Sequence, residues 1–262
     1  MALADRLIVT NVHLPEWFLR RLRGDYNSVR YRFVGLPREW AVYTWFRMTG
    51  RSWIDFYGRR LDGHAGTSIR SNKPPKESYL AQAEEHLAFL KSKGLEPHHD
   101  FLDYGCGILR LGRLIIPYLE ANRYVGVEIS AERLQRGESL MADEGDYGGT
   151  YQTVLVANCE LRELGDKTFD YVWAKSVLTH MPKSDIKALL AALRKHLKPN
   201  GRFYFTFAQS DRFDRRNIKD FYYPESTIRK WATDAGYDLI IEPSWDPADH
   251  GDTMACATLK TQ

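Results

Sequence analysis

Apolar runs that read as strands alternate with helix-like segments from Phe101 onward, and this alternation constrains the fold more than any other feature of the sequence. The runs are, in order, FLDY, YVGVE, TVLV, DYVWA, RFYFTFA, YDLIIE and MACATLK. Strands that alternate with helices predict a doubly wound, mostly parallel sheet with helices on both faces. The last two runs leave no room for a crossover helix, so we predict that they form an antiparallel C-terminal hairpin at one edge.

Capping residues predict where the helices begin and end. Gly94 and Gly236 are placed to stop helices, and Ser130 and Ser184 to cap them at their N-termini. The predicted helices cover residues 78–93, 109–119, 130 to about 141, 184–198 and 225–235, and Pro199-Asn200-Gly201 ends the fourth. All but the first of these helices lie between two predicted strands.

The chain has 262 residues, of which 44% are hydrophobic and 27% charged, and this balance excludes a wholly disordered or fibrous protein. No apolar run approaches the roughly 18 residues that a membrane-spanning helix needs, and no secretory signal is evident in residues 1–10. Three cysteines without a C-x-x-C pair argue against a disulfide framework or a zinc ribbon, and His98-His99 lacks a third ligand at metal-like spacing. We therefore expect a cytoplasmic protein without a metal site.

Residues 1–75 differ in composition from the rest and are predicted to form an N-terminal, helical cap, separate from the domain over residues 76–262 that contains the predicted sheet. The first 60 residues hold eleven arginines, no lysine and five acids, a net charge of +6, and twelve of the 34 aromatic residues. The basic residues are interleaved with apolar ones. This favours arginine stems that lie over the cap's own core, rather than a nucleic-acid or membrane patch.

A glycine turn and an acidic residue mark the predicted ligand site. Gly105-Cys106-Gly107 lies where the first strand turns toward a helix, and glycines there let a ligand approach the backbone. Glu128 ends the second strand 21 residues after Gly107, where a carboxylate accepts hydrogen bonds from ribose hydroxyls. The pair indicates an adenosine-bearing cofactor. Arg110 stands where a dinucleotide fingerprint needs glycine or alanine, and the sequence has no P-loop ending, so both phosphate sites are disfavoured.

The segments FLDYGCG, YVGVE, FDYVWAKSVLTHMP and LKPNGRFYFT resemble, in this order, the successive motifs of class I S-adenosyl-L-methionine-dependent methyltransferases. The resemblance covers roughly Ser78 to the end of the sequence. It implies a Rossmann-like methyltransferase fold with a seven-stranded sheet and a reversed terminal hairpin, and S-adenosyl-L-methionine as the cofactor. One departure is Leu109, which replaces the third glycine of the family's G-x-G-x-G loop.

The resemblance also implies which residues hold the cofactor. The loop Gly105-Cys106-Gly107 would lie against the methionine part, with Asp103 supporting the loop, and packing is the favoured role of the Cys106 thiol. Glu128 would bind the ribose and Ile129 the adenine face. The remaining implied contacts are Asn158 and Cys159 at the adenine edge and Lys175 near the cofactor's amino group. Arg110 and Arg113 are either structural or place a cation near the cofactor carboxylate.

His180 is the candidate catalytic residue, because it follows the fourth strand at the ligand-binding edge of the sheet. A methyl group on a sulfonium is already activated, so the protein mainly supplies proximity and orientation. A general base is needed only if the acceptor must lose a proton. Packing at the start of the following helix is the favoured alternative role for His180.

The leading prediction is a methyltransferase that acts on a small organic acceptor. AKSVL stands where DNA and RNA amino-methyltransferases usually carry an (Asp/Asn/Ser)-Pro-Pro-(aromatic) signature, which disfavours a nucleobase amine as acceptor. The alternatives are a non-catalytic cofactor-binding module, and a protein or RNA methyltransferase that docks its substrate through the basic N-terminal segment. That segment contains Trp17, Trp40, Trp45 and Trp53, which is too much apolar surface to leave in water. We therefore predict that the segment folds over the cofactor site as a lid. The alternative is that the same surface forms a homodimer interface.

Overall fold

The computed structural model describes residues 36–68, 77–145, 147–215, 217–245 and 252–261, without the side chains of residues 36, 63–68 and 77–80. The predictions for Trp17 and for the other residues of 1–35 and 69–76 lie outside the described residues. The chain divides into two compact units, Met1–Arg51 and Ser52–Gln262. The predicted ligand site falls within the second unit.

The first unit contains helix α1, Leu36–Met48, in which aromatic and arginine side chains pack together. The rings of Trp40 and Tyr43 meet edge to face with centroids 5.8 Å apart. The Arg51 guanidinium lies 5.5 Å from the ring centroid of Trp45 and 5.1 Å from that of Phe46. These are cation–π contacts, in which the arginine stem also covers apolar surface.

The second unit is built on one mixed sheet. Its seven main strands are β1 Phe101–Tyr104, β2 Tyr124–Glu128, β3 Tyr151–Leu155, β4 Phe169–Ala174, β5 Leu197–Gln209, β8 Tyr237–Ile241 and β9 Thr253–Leu259. Their order is β3-β2-β1-β4-β5-β9-β8. The first five run parallel to their neighbours, and β9 is antiparallel to both β5 and β8. This confirms the predicted doubly wound sheet with an antiparallel terminal hairpin.

Two short strands, β6 Asp214–Arg215 and β7 Phe221–Tyr223, have no counterpart in the sequence-based prediction. They pair with each other in antiparallel fashion, and β7 also pairs in parallel with Ala208 and Gln209 at the end of β5. The chain that follows β5 is therefore held at the carboxyl end of the sheet instead of leading directly into the next helix.

Six helices accompany the sheet in the part of the chain that the structure describes. They are α2 Trp53–Ser68, α3 Glu77–Ser92, α4 Gly112–Ile115, α5 Ala131–Glu144, α6 Lys183–Leu193 and α7 Glu225–Asp234, and single 3₁₀ turns cover Arg162–Leu164 and Leu178–His180. The predicted cap at Ser130 is confirmed, since its hydroxyl accepts from the Arg133 amide at 3.3 Å. Gly94 and Gly236 follow α3 and α7 with φ angles of +92° and +87°. Within the described residues, no helix is long and apolar enough to cross a membrane.

The prediction of one helix from Ser184 to about residue 198 was wrong at both ends. Pro182 is the N-cap of α6, which ends at Leu193, and β5 already begins at Leu197. Leu197 pairs with Phe169 of β4, and the register between the two strands then shifts before Tyr171 pairs with Arg202. Residues 199–201 take up this shift, so Pro199-Asn200-Gly201 is an irregularity within β5 instead of a helix stop.

The helix predicted over residues 109–119 is also much shorter, because only Gly112–Ile115 is α-helical. Leu109 has a φ angle of +57°, in the left-handed region, and an α-helix cannot continue through that conformation. The surrounding residues form turns whose amides bond to carbonyls three or four positions earlier. The apolar spacing of this segment therefore indicates which side chains are buried, but it does not indicate a long helix.

Candidate active site

The glycine loop begins at the carboxyl end of β1 and is tied to the neighbouring strand. The amides of Gly105 and Cys106 both donate to the Val127 carbonyl, at 2.8 and 3.1 Å. Gly105 and Gly107 have φ angles of +78° and +60°, in the region that favours glycine. A Cβ built on Gly105 would lie 2.6 Å from Val177 Cγ2, so a larger residue would also collide with the loop after β4.

Leu109, in place of the third glycine of the loop, adopts the left-handed conformation that a glycine would favour. A non-glycine residue there costs about 1–2 kcal/mol. Its side chain is fully buried, and burial of a leucine contributes about 1.5–3 kcal/mol. The departure from the family pattern therefore keeps the turn, because the buried side chain offsets the strain of the backbone.

The Cys106 thiol is buried and packs against β2. A Cβ built on Gly126 would lie 2.9 Å from Cys106 Sγ, so the absence of a side chain at Gly126 makes room for the thiol. Burial raises the pKa of Cys106 well above its usual range. The thiol therefore lies in the packed space between the glycine loop and β2.

Glu128 is buried at the end of β2, and backbone amides surround its carboxylate. Oε1 accepts from the amides of Ile129 at 2.7 Å and Ser130 at 3.2 Å, and Oε2 accepts from the Gly107 amide at 3.0 Å. Burial raises the pKa of Glu128, and the Arg133 charge and the three amides oppose that rise. The carboxylate thus links the glycine loop to the start of α5.

Arg133 lies beside this carboxylate and completes a small cradle with Gly107 and Glu128. A Cβ built on Gly107 would lie 3.8 Å from Arg133 Nη1 and 3.9 Å from Glu128 Oε2, so the missing side chain leaves space between them. The Arg133 Nε atom is buried and has no hydrogen-bond partner among the residues that the structure describes. A buried donor next to a buried carboxylate suits a ligand with hydroxyl or ring acceptor atoms.

Asp103 is buried beneath the loop, and its Oδ2 accepts from the Tyr124 hydroxyl at 2.9 Å. Burial raises the pKa of Asp103 to about 7, although the Tyr124 hydrogen bond and the Arg110 charge oppose the rise. The side chain is therefore enclosed in the core and bonded to a residue of β2.

Three residues predicted for the adenine lie at the ends of β2 and β3. Ile129 is half-buried directly after Glu128. The side-chain oxygen of Asn158 accepts from the Glu160 amide at 2.8 Å, which closes a local turn and uses one of its two acceptor positions. Cys159 is buried, 3.8 Å from the Tyr104 hydroxyl, and burial raises its pKa to about 12. The Cys159 thiol therefore faces the core, whereas Asn158 is exposed.

Lys175 follows β4 and belongs to a polar cluster around Asp252. The Lys175 Nζ atom lies 2.8 Å from Ser176 Oγ and 3.4 Å from Asp252 Oδ2, and the hydroxyls of Ser176 and Thr206 also donate to this carboxylate, at 3.0 and 3.4 Å. Burial lowers the pKa of Lys175, and Asp252 opposes the shift. The Arg110 guanidinium donates a hydrogen bond to the side-chain oxygen of Gln82 in α3, at 3.2 Å. Its positive charge acts to lower the pKa values of Lys175 and Asp103. The charges of Arg110 and Lys175 therefore lie close enough to interact.

His180 ends the 3₁₀ turn after β4 and contacts the segment that carries β6 and β7. Its Nδ1 atom lies 3.0 Å from Asp220 Oδ1 and 3.1 Å from the Lys219 carbonyl oxygen. The Tyr57 ring centroid is 5.4 Å from the imidazole centroid. The side chain is 23% exposed, so packing does not fully enclose it.

Helix α2 lies over the carboxyl ends of the strands and contacts the loops on both sides of the glycine turn. The Trp53 Nε1–H donates to the His180 carbonyl at 2.8 Å, and the Ser130 hydroxyl donates to Asp62 at 2.5 Å. Tyr57 stacks on Trp53 with centroids 5.9 Å apart, and burial raises the pKa of its hydroxyl. Helix α2 thus bridges the end of β2 and the end of β4.

Sequence reasoning missed three residues of this site, namely Trp53 as a contact of His180, Arg133 beside Glu128, and Asp220. Arg133 lies in the first turn of α5, three residues after the predicted cap at Ser130, but nothing in its position on the helix indicates a contact with Glu128. The contacts of Trp53 and Asp220 join residues far apart in the chain, which one sequence cannot reveal. In the described part of the chain, no group of three or more His, Cys, Asp or Glu side chains is arranged to hold a metal ion.

Comparison with known proteins agrees with this geometry. Residues 102–203 match the family described as "Methyltransferase domain". The chain is 27% identical over 194 residues to a sterol 24-C-methyltransferase of Yarrowia lipolytica, a match that covers 74% of this chain and 45% of that protein. The chain thus spans less than half the length of this curated relative.

Solved structures show the same fold at low sequence identity. Magnesium protoporphyrin IX methyltransferase from Synechocystis PCC 6803 with bound SAH is similar with a TM-score of 0.60 and 15% identity, over 80% of this chain and 100% of that one. A glycopeptide N-methyltransferase is similar with a TM-score of 0.53 and 17% identity, over 72% of this chain and 99% of that one. The chain therefore has the fold of class I S-adenosylmethionine-dependent methyltransferases, and its residues 102–203 are similar to a methyltransferase domain.

Proposed function

We propose that this chain transfers a methyl group from S-adenosyl-L-methionine to a small organic acceptor. The observation that carries the proposal is the cradle of Gly107, Glu128 and Arg133, at the place where a doubly wound sheet binds ligands. The match to methyltransferase domains supports the choice of this cofactor over other adenosine-bearing ones.

The donor set fits an adenosyl group. A carboxylate has about four acceptor positions, and three of those of Glu128 are filled by backbone amides. One position on Oε2 has no donor among the described residues, and it faces the space that a side chain on Gly107 would fill. A ribose hydroxyl is the group that this position would take.

The other assignments follow from position at the sheet edge. Gly105, Cys106 and Gly107 would hold the methionine part through their backbone, and Arg110 would place its charge toward the cofactor carboxylate. Ile129 and Asn158 would line the adenine, with Asn158 using its second acceptor position. The backbone of Lys175 would bind the amino group, since its side chain is engaged with Asp252.

When bound, S-adenosyl-L-methionine would supply a methyl group that its positive sulfur has already activated, and the electron pair of the broken carbon–sulfur bond would stay on sulfur. The chain then has two tasks, which are to orient the acceptor in line and to exclude water. Helix α2 covers the site from outside, through Trp53 and Asp62. His180 would take the proton that a protic acceptor loses.

A small organic acceptor is supported by the position of α2, which bonds both to the end of β2 and to the loop after β4 and so lies over the carboxyl edge of the sheet. Similar proteins are named for sterol, porphyrin and glycopeptide acceptors, and this range leaves the chemical identity of the acceptor to experiment.

The test combines calorimetry with turnover. We expect the full chain to bind S-adenosyl-L-methionine and S-adenosyl-L-homocysteine, and to convert the first into the second when given a metabolite mixture. His180→Asn should lower turnover by about 10²–10⁴-fold with nearly unchanged cofactor affinity. The control is His98→Asn, because His98 is exposed in the loop that leads to β1, at the opposite edge of the sheet.

Binding without turnover in any mixture would instead favour a non-catalytic cofactor-binding module. Absence of binding to either compound would overturn the proposal. A small loss of turnover in His180→Asn would leave the transfer in place and assign His180 to packing.

A further inference from the structure

The ring of His180 is held at one nitrogen by two groups that can only accept. The Lys219 carbonyl oxygen lies 3.1 Å from Nδ1, and Asp220 Oδ1 lies 3.0 Å from the same atom. A carbonyl and an ionised carboxylate have no hydrogen to donate. In the neutral imidazole, Nδ1 must therefore carry the hydrogen, and the lone pair is on Nε2.

Asp220 is itself rigidly placed. Its Oδ1 accepts from Lys219 Nζ at 2.8 Å, and its Oδ2 accepts from the Asn217 side-chain amide. The Asn217 side-chain oxygen accepts in turn from the amides of Lys219 and Asp220, both at 2.9 Å. Burial would raise the pKa of Asp220, but the hydrogen bonds from His180, Lys219 and Asn217 outweigh it and hold the pKa well below its usual range. The carboxylate is thus ionised at neutral pH.

The second ring nitrogen is differently placed. No residue within the described ranges makes a hydrogen bond to His180 Nε2. The Trp53 indole donates to the backbone carbonyl of His180, and the Tyr57 ring packs beside the imidazole. The imidazole is therefore oriented from one side and keeps a basic atom on the other.

We propose that Asp220 is a positioning residue that fixes His180 with its hydrogen on Nδ1, so that Nε2 takes a proton from an acceptor of the O–H or N–H class. This inference rests on the proposed function and names the class of acceptor. The acceptor's proton moves to Nε2 as its oxygen or nitrogen gains the methyl group, and water then takes this proton from the imidazolium. Asp220 stabilises the imidazolium in between, since a carboxylate beside it favours the charged ring.

The test begins with the protein alone, so that it does not depend on turnover. Long-range ¹H–¹⁵N spectra of the full chain report which ring nitrogen of each histidine carries hydrogen, and His180→Asn assigns the signal. We expect His180 in the wild type to show a protonated Nδ1 and an unprotonated Nε2. The opposite tautomer in the wild type would overturn the proposal, whatever the variants do.

Asp220→Asn tests the role of the carboxylate. We expect the tautomer with hydrogen on Nε2 to become detectable, because the amide group of asparagine offers Nδ1 a donor as well as an acceptor. With an acceptor found by the turnover screen, kcat should fall by about tenfold to a hundredfold while both KM values stay within about twofold. The matched control is Asp211→Asn, which removes the same charge from an exposed residue of the same connection.

An Asp220→Asn variant with wild-type tautomer and wild-type kcat would overturn the proposal, as would one in which KM changes and kcat does not. Calorimetry with S-adenosyl-L-methionine separates this failure from that of the proposed function. A wild-type chain that binds no cofactor refutes the function, whereas one that binds cofactor and shows the wrong tautomer refutes the role of Asp220 alone.

Discussion

Replacing Glu128 with glutamine separates the two tasks that its carboxylate would perform. In the structure, Oε1 holds the amides that start α5 and Oε2 holds the Gly107 amide of the glycine loop. Alanine would leave all three buried amides without an acceptor, at about 1–3 kcal/mol each, which is comparable to the whole stability of a domain. Glutamine keeps the shape and one oxygen, so Glu128→Gln is the informative variant.

The orientation of the new side chain sets the magnitude. Its single oxygen is best placed where it serves the two amides of Ile129 and Ser130, so the NH₂ group faces the Gly107 amide and the ribose. The lost bond to Gly107 should lower the free energy of unfolding by about 1–3 kcal/mol. Loss of one hydrogen bond between a ribose hydroxyl and a charged acceptor should cost a further 1.5–3 kcal/mol, about tenfold to 150-fold in affinity.

Two assays read these quantities independently. Thermal melting without cofactor reports the structural cost, which corresponds to about 2–4 °C per kcal/mol in a chain of this size. Calorimetry with S-adenosyl-L-homocysteine reports the affinity. Glu132→Gln is the control, since it removes a charge from an exposed residue in the first turn of α5. If Glu128→Gln melts at a lower temperature and yet binds the cofactor as tightly as the wild type, Glu128 only supports the loop, and its assignment to the ribose is wrong.

Three further predictions follow from the same region. Burial raises the pKa of Asp103 to about 7, so the folded chain holds this proton more tightly than the unfolded one and loses stability as pH rises from about 4 to about 7. Asp103→Asn should therefore raise the melting temperature at pH 8 and hardly change it at pH 4; equal shifts at both pH values would contradict the argument. Deletion of residues 1–51 removes the first unit and keeps α2, so we expect cofactor binding to persist. Deletion of residues 1–68 also removes Trp53 and Asp62, and should leave weak binding without turnover. If the variant that lacks residues 1–68 has normal turnover, or only changes from dimer to monomer, then α2 does not act as a lid. Gly105→Ala should weaken cofactor binding, because the new Cβ collides with Val177 and because alanine is strained at a positive φ. A second substitution in the same chain, Val177→Ala, removes the collision and leaves the strain, so it should restore part of the lost affinity. Calorimetry of the double variant would show no recovery if the backbone angle alone matters.

The sheet could be predicted because its signals are local. YVGVE and DYVWA are runs without polar alternation, as expected for strands covered on both faces, and nearly all their residues are buried. The start of β5 could not be predicted in the same way. Leu197 continues the helical spacing of Leu190 and Leu193, and only its pairing with Phe169 of β4 places it in a strand.

The same distinction between local and long-range signals applies to the residues of the site. Gly105, Gly107 and Glu128 lie in or next to strand ends that the sequence reveals, and the structure joins them through the bond from the Gly107 amide to the Glu128 carboxylate. Asp220 and Trp53 reach His180 across 40 and 127 positions of the chain. Such contacts depend on how β7 and α2 are placed against the sheet, and no periodicity or motif encodes that placement.

The position of β9 bears on the order in which the sheet closes during folding. β8 is synthesised before β9, but among the described strands it pairs with β9 alone, and β9 lies between it and β5. Until β9 inserts during folding, β8 therefore has no neighbouring strand, and the edge of β5 that carries Phe203, Phe205 and Phe207 stays open. An open strand edge with apolar side chains is a template for pairing with other chains. A chain in which β9 has not yet inserted between β5 and β8 is thus the form most exposed to aggregation, and substitutions that weaken the pairing of β9 with β5 should lower the yield of folded protein.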